Sequence, residues 1–343
     1  MIKGLYIWQI RNCENGNIER IVTRAKAAKL SHVLIKIANG AAGYNYIDGV
    51  DKAKELADAL KIEGIDPIGW QYVFGVDPYG EAMTANRRMR ETGCLGFAID
   101  AEKEYRDDPA NKAKATTYMA NLDFPEPKAF ASYRYPEVHP KMPYGVFLAG
   151  CDLVMPQVYW MEANNPTEQL DECIKQYRKI TDLPILPTGS AFCEHGWCPT
   201  KQEIIDFAEH AKSLDLPGVN FWEWANTVAN DFWITVKDIE WEETEPPVEP
   251  PVDCCEELTD ALMDYGRVVE ANATKIEELE ARAIFWDLNI DNHNKLVDRF
   301  DELEESVADL LAILQLLMTR IEVLENKTIP ETNHSHWWQR WFK

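Results

Sequence analysis

Two acidic residues, one position apart, end an apolar run in the first half of the chain. The run reads Gly96-Phe-Ala-Ile-Asp-Ala-Glu102, so Asp100 and Glu102 share one face if it forms a strand. Two carboxylates held close together cannot both ionise easily, and one of them then keeps its proton to a higher pH. A general acid needs this property at neutral pH. The pattern therefore predicts acid–base chemistry at Asp100 and Glu102.

Another acidic residue stands among aromatic side chains much later in the chain. The segment Phe221-Trp-Glu-Trp-Ala-Asn226 places Glu223 between Trp222 and Trp224. The apolar faces of pyranose rings stack on indoles, while carboxylates bind hydroxyl groups and exchange protons. Glu223 is therefore a third candidate catalytic residue, and the two tryptophans are candidate sugar-binding residues. Other aromatic and amide side chains at predicted strand ends would line the same bowl: Trp8, Trp70, Tyr72, Tyr133, Gln157, Tyr159 and Trp160.

Short apolar runs that alternate with amphipathic segments of helical length carry these residues. The runs cover residues 5–8, 33–37, 67–73, 96–100, 129–133, 153–159, 185–187 and 219–222. Helical patterns cover residues 18–29, 51–63, 79–92, 109–121, 166–180 and 200–214, and the proline-broken segment 136–150 is expected to carry only a short helix. Eight such repeats predict an α/β fold, a (β/α)₈ TIM-type barrel, over residues 1–243. The functional site is then expected at the C-terminal ends of the strands.

The cysteine pattern leaves two interpretations open. Most of the eight cysteines lie in apolar contexts, which is typical of buried free thiols. Cys193 and Cys198 have a spacing that suits a loop disulfide or half of a metal site. No second pair of ligands is evident, so neither a metal nor a cofactor is predicted. Cys254 and Cys255 precede a predicted oligomeric stalk and could link neighbouring chains in an oxidising setting.

Beyond the barrel, the sequence predicts a linker, a stalk and a tail. Prolines between positions 246 and 251 make residues 244–253 an extended, semi-rigid linker. Residues 254–327 carry apolar side chains at alternating steps of four and three, with one extra three-residue step between Phe300 and Leu303. This heptad pattern predicts a long coiled coil that forms homo-oligomers. Asn272 and His293 would lie in its seam and fix its register; a dimer and a trimer both fit, and we favour a trimer.

The charge and the C-terminal residues narrow the range of partners. A formal net charge of −23 disfavours nucleic acid and anionic membranes as general partners. Residues 328–343 form an aromatic and basic tail, with three tryptophans close to Arg340 and Lys343. This tail is expected to bind a partner protein, to lie at a membrane interface or to pack back on the coil. The N-terminus lacks the layout of a signal peptide, so synthesis in the cytoplasm is expected.

The first four runs resemble those of a known enzyme family. The motifs are Lys3-Gly-Leu-Tyr-Ile-Trp8, the segments 29–40 and 64–72, and Phe97-Ala-Ile-Asp-Ala-Glu102. They are similar to glycoside hydrolase family 25, lysozyme-like muramidases with a (β/α) barrel that cleave the glycan strands of peptidoglycan and are common in bacteriophages. The resemblance implies that Glu102 is the general acid. It implies that Asp100 orients the 2-acetamido group of the substrate or stabilises the oxocarbenium-like transition state.

The resemblance is incomplete at two strands. That family normally has an aspartate early in the first strand, where this chain has Tyr6, and the eighth strand is as similar to chitinase-type barrels of family 18. The favoured hypothesis is a lysozyme-like glycan hydrolase on a multimeric stalk, associated with a phage tail or virion and acting at the bacterial surface. Two alternatives stay open: a catalytically degenerate protein that binds carbohydrate as an adhesin, and a structural fibre protein.

Overall fold

A computed structural model describes residues 2–240 of the 343-residue chain. Its strands are β1 (Ile2–Ile7), β2 (His32–Asn39), β3 (Ala42–Gly43), β4 (Tyr46–Ile47), β5 (Val50–Asp51), β6 (Asp66–Val73), β7 (Gly96–Ala101), β8 (Lys128–Tyr133), β9 (Leu153–Gln157), β10 (Thr188–Ser190) and β11 (Gly218–Trp222). The predicted linker (244–253), coiled coil (254–327) and tail (328–343) lie outside the described residues and stay predictions.

Eight of these strands form a closed parallel barrel. Their order around the barrel is β1-β11-β10-β9-β8-β7-β6-β2, and β2 pairs with β1 to close the ring. The predicted (β/α)₈ barrel is thereby confirmed for the described part of the chain. The remaining strands are accessory, because β3 pairs antiparallel with β2 and β4 forms a small hairpin with β5.

Helices surround the barrel and follow the predicted amphipathic segments closely. They are α1 (Ile18–Ala27), α2 (Lys52–Ile62), α3 (Pro78–Thr92), α4 (Lys103–Asp107), α5 (Asn111–Ala120), α6 (Tyr144–Leu148), α7 (Pro166–Tyr177), α8 (Lys201–Ser213), α9 (Trp224–Ala229) and α10 (Trp233–Asp238). The proline-broken segment carries the short α6, as expected, and one 3-10 turn at Pro136–Val138. Within residues 2–240 no helix has both the length and the apolar character that crossing a bilayer requires.

Side-chain alternation along the strands divides the core into two layers. The inner layer fills the barrel with residues such as Leu34, Ile68, Trp70 and Met155, and the outer layer packs the strands against the helices. This division follows from the two-residue period of a strand, since successive side chains point to opposite faces. The inner layer determines which residues can reach the open mouth of the barrel.

Two strand predictions differ from the structure. The predicted strand at 185–187 is instead the short β10, Thr188–Ser190, and Ile185 forms only an isolated bridge to Val154. Pro184 and Pro187 lack backbone N–H donors, so a continuous ladder cannot run through that segment. The strand predicted to reach residue 159 ends at Gln157.

Candidate active site

A cavity of about 220 Å³ opens at the C-terminal ends of the barrel strands. This is the end where the barrel fold was expected to carry its site. The cavity brings together eight of the residues predicted from the sequence and one that was not predicted, Lys36. Its lining consists of Trp8, Lys36, Trp70, Tyr72, Asp100, Glu102, Gln157, Tyr159 and Trp222.

The two carboxylates of the predicted acid pair meet at one amide nitrogen. Asp100 is the fifth residue of β7 and is only 6% exposed, while Glu102 follows the strand and is partly exposed. Gln157 Nε2, at the end of β9, donates hydrogen bonds to Asp100 Oδ1 at 3.1 Å and to Glu102 Oε1 at 2.8 Å. Because both acceptors share this donor, the two carboxylates are neighbours at the barrel mouth. We name Asp100 and Glu102 the acid pair.

Burial and mutual repulsion favour protonation of the acid pair. Desolvation raises the pKa of Asp100 well above its ordinary value, and the charge of Glu102 raises it further. Desolvation also raises the pKa of Glu102, whereas the hydrogen bond from Gln157 opposes the rise. A carboxyl group that keeps its proton near neutral pH can donate it to a leaving oxygen.

A buried lysine lines the same cavity from a strand two positions away from β7 in the barrel. Lys36, in β2, is 5% exposed, and its ammonium lies 4.6 Å from the ring centre of Trp70. Desolvation lowers the pKa of Lys36 to about 8, and the charges of Asp100 and Glu102 act against that decrease. The register of β2 against β6 shifts immediately after Lys36. A lysine within the apolar run His32–Asn39 was the sequence signal that could have identified this residue.

Aromatic rings form the rest of the wall. The Trp222 ring lies 5.5 Å from that of Trp70 and 6.4 Å from that of Trp8, which is 44% exposed at the rim. Tyr6 lies deeper, with its ring 5.4 Å from that of Trp222, and its hydroxyl donates to Met155 Sδ at 3.6 Å. The wall offers an apolar ring face at the rim, and the rings of Tyr6 and Trp70 are buried at its base.

Glu223 is not placed in the cavity. It directly follows β11 and is 3% exposed, and its carboxylate accepts hydrogen bonds from the backbone N–H groups of Ala225 (3.3 Å) and Asn226 (2.9 Å). It is therefore the N-cap of α9. Because Trp222 points into the barrel, the side chain of the next residue, Glu223, points away from the barrel interior.

Three other predicted binding residues also lie outside the cavity. Trp224 and Trp160 are fully buried in the outer core, where Trp224 contacts Trp233 and Trp160 contacts Phe207. Tyr133 lines an adjoining cavity of about 380 Å³ that shares Gln157 and Tyr159 with the first. Only Tyr133 is in a position to contact a ligand that extends from the barrel mouth.

The cysteines of the described region are of two kinds. Cys193 and Cys198 form a disulfide, so the loop-disulfide alternative describes this pair. Cys13, Cys94, Cys151 and Cys173 are buried free thiols. Across residues 2–240 there is no group of three or more acidic, histidine or cysteine side chains arranged to hold a metal ion.

Solved structures with a similar fold include glycoside hydrolases. A family 18 chitinase from Cycas revoluta in complex with allosamidin aligns with a TM-score of 0.52 and 10% identity, covering 69% of this chain and 99% of that one. A family 113 β-1,4-mannanase aligns with a TM-score of 0.51 and 13% identity over 69% of this chain and 98% of its own. No protein-family model matches the sequence, and no curated protein matches it. At these identities the likeness establishes a barrel fold shared with glycoside hydrolases.

Proposed function

We propose that the barrel is a glycoside hydrolase that cleaves a polymer of N-acetylated sugars, such as peptidoglycan or chitin. The observation that carries the proposal is the acid pair, held by one amide at the open end of the barrel. Glu102 is the outer, more exposed member, so we assign it the protonation of the glycosidic oxygen. Asp100 is the deeper member and supplies negative charge beside the cationic transition state or the 2-acetamido group.

The aromatic wall supports a sugar as the substrate. Trp8 offers an exposed ring face at the rim, and Trp222 continues that surface inward. The apolar face of a pyranose ring stacks on such indoles, and its hydroxyl groups remain free to bind Gln157 or the carboxylates. The Cycas revoluta chitinase has also been solved in complex with (GlcNAc)4. The proposal for this chain rests on its own acid pair and wall.

A test of this function compares two carboxylate-to-amide substitutions. Glu102→Gln removes the proton donor and is expected to decrease the release of reducing ends from peptidoglycan or chitin by about 10²- to 10⁴-fold. Glu63→Gln is the matched control, because Glu63 caps the end of α2 at the opposite end of the barrel. The control should retain wild-type activity. Equal activity of wild type and Glu102→Gln would contradict the proposal.

One observation favours a second candidate, a glycan-binding protein without catalysis. Tyr6 occupies the first-strand position where family 25 normally has an aspartate, and its hydroxyl bonds to a sulfur rather than to substrate space. Binding to insoluble peptidoglycan with no release of reducing ends by the wild type would support this adhesin. Neither binding nor release would support a structural fibre.

The biological setting is a separate proposal that rests on the sequence. Homo-oligomeric display of several barrels on a coiled coil would raise avidity for a repetitive polymer, since each further binding event becomes intramolecular. A phage virion or tail component acting at the bacterial surface fits this arrangement. The aromatic tail would then attach the stalk to a virion protein or a membrane interface.

A further inference from the structure

The ammonium group of Lys36 is enclosed by aromatic rings. Lys36 Nζ lies over the ring centres of Trp70 at 4.6 Å, Tyr44 at 4.8 Å, Trp8 at 5.7 Å and Tyr72 at 5.8 Å. Rings attract a cation through their faces but accept no strong hydrogen bond from it. Among residues 2–240, no oxygen accepts a hydrogen bond or forms an ion pair with this nitrogen. Within the described part of the chain, this almost fully buried cation therefore lines the cavity without an acceptor for its N–H donors.

Lys3 is a second buried lysine of this barrel, and its role is structural. It is also 5% exposed, but its Nζ donates to the carbonyl oxygens of Val236, Lys237 and Ile239, each at 2.9 Å. Its donors are therefore satisfied at the end of α10, at the opposite end of the barrel from the cavity. Lys36 lacks such partners, and the charges that act on it are those of Asp100 and Glu102.

We propose that Lys36 is a positioning residue of the acid pair, whose positive charge keeps one of the two carboxylates ionised so that the pair holds one proton at neutral pH. This inference rests on the proposed hydrolase function. The reaction needs one protonated and one charged carboxyl group. Repulsion within the pair favours the first proton, and burial would otherwise favour a second. Among the influences on Asp100, Lys36 is the largest that favours the charged form, whereas for Glu102 it follows Gln157 and Lys103.

Other ionisable groups also face the pair. Glu104 and Lys103 of α4 act on Glu102 with opposite signs, and Glu104 accepts a hydrogen bond from the Tyr72 hydroxyl at 2.6 Å. Tyr6 interacts electrostatically with Asp100 but does not line the cavity, whereas Tyr159 lines it. Tyr133 and Arg106 interact with Glu102. None of these groups is replaced in a Lys36 variant. A change in the titration of the acid pair is therefore assigned to the charge of Lys36.

The decisive experiment measures kcat/KM against pH for the full chain with Lys36→Met. Loss of the positive charge should move both limbs of the bell-shaped profile to higher pH, by about one unit, since a nearby opposite charge lowers a carboxyl pKa by roughly 1–3 units. Activity on the acidic limb should consequently fall about tenfold. Lys36→Arg retains the charge, and its limbs should stay at the wild-type positions. If both limbs of the Lys36→Met profile stay at their wild-type pH, the proposal is overturned.

Lys3→Met is the matched control for burial. It removes an equally buried lysine and leaves three carbonyl oxygens without their donor, so it should lower the melting temperature without moving either limb. If Lys3→Met moves the limbs of the pH profile as far as Lys36→Met does, the shift reflects the loss of stability and not the charge of Lys36. That result would overturn the proposal.

A measurement that needs no turnover separates this inference from the proposed function. Carboxyl ¹³C resonances of the acid pair, assigned with Asp100→Asn and Glu102→Gln, can be titrated in wild type and Lys36→Met. Higher apparent titration midpoints in Lys36→Met support the role of Lys36 even if no glycan is cleaved. Identical midpoints overturn it, whether or not hydrolysis is observed.

Discussion

The buried carboxyl group of Asp100 combines a catalytic placement with a cost to folding. Its side chain is 6% exposed, and burial together with Glu102 raises its pKa well above the ordinary value of 3.8. The folded chain therefore binds more protons at this residue than the unfolded chain above about pH 4. Between the ordinary pKa and the raised pKa of Asp100, the folded state binds more protons than the unfolded state. The free energy of unfolding therefore falls as the pH rises through this range.

Asp100→Asn should consequently stabilise the protein at pH 7. The amide oxygen can still accept the hydrogen bond from Gln157, while the charge that is costly to bury is removed. Each kcal/mol gained corresponds to about 2–4 °C in the melting temperature of a domain of this size. Thermal melts at pH 7 and below pH 4 check the expectation: the difference from wild type should be positive at pH 7 and vanish at the lower pH.

Asp107→Asn provides the control of opposite sign. Asp107 is exposed, and hydrogen bonds from Arg106 at 2.6 and 2.7 Å lower its pKa. Its contribution to stability is present above its unfolded pKa and disappears as the pH falls, so the substitution should be neutral or slightly destabilising at pH 7. A stabilisation at pH 7 equal to that of Asp100→Asn would point to a general effect of removing negative charge.

At the junction of β11 and α9, two adjacent side chains have different roles. Trp222 belongs to the cavity, whereas Glu223 caps α9. Glu223→Ala should lower the free energy of unfolding by about 1 kcal/mol, the usual effect of losing an N-cap. Hydrolysis should stay within tenfold of wild type. Denaturant titration and the reducing-end assay together check this, and a loss of activity as large as that of Glu102→Gln would restore Glu223 as a catalytic residue.

Some of these placements could be predicted from the sequence, and others could not. The acid pair was predictable because residues two apart on a strand share a face and the run before them is clearly apolar. Glu223 and Trp224 were misplaced because β11 ends at Trp222 and α9 begins two residues later. No pattern of neighbouring residues reveals that change of direction. Lys36 was missed because three of the rings around its ammonium group, those of Trp8, Trp70 and Tyr72, are distant from it in sequence.

For the whole molecule, the heptads of residues 254–327 carry a prediction of their own. If three chains assemble through them, the mass of the full chain in solution should be three times that of a monomer. Multi-angle light scattering measures this directly, and a chain ending at residue 243 should be monomeric under the same conditions. A monomeric full chain would contradict the coiled-coil interpretation, whereas a dimer would correct only the number of strands.

The packing of Trp8, Trp70 and Trp222 gives the barrel an intrinsic optical signal. Successive indoles lie 5.5 and 6.4 Å apart, close enough for excitation to pass among them, and the outermost one is exposed to whatever enters the mouth. Occupation of the cavity by a sugar ring would replace water at that indole and shift the emission of the group. Fluorescence of the unlabelled protein, corrected with a Trp8→Phe variant, thus offers a direct route to screening glycans before any cleavage assay is chosen.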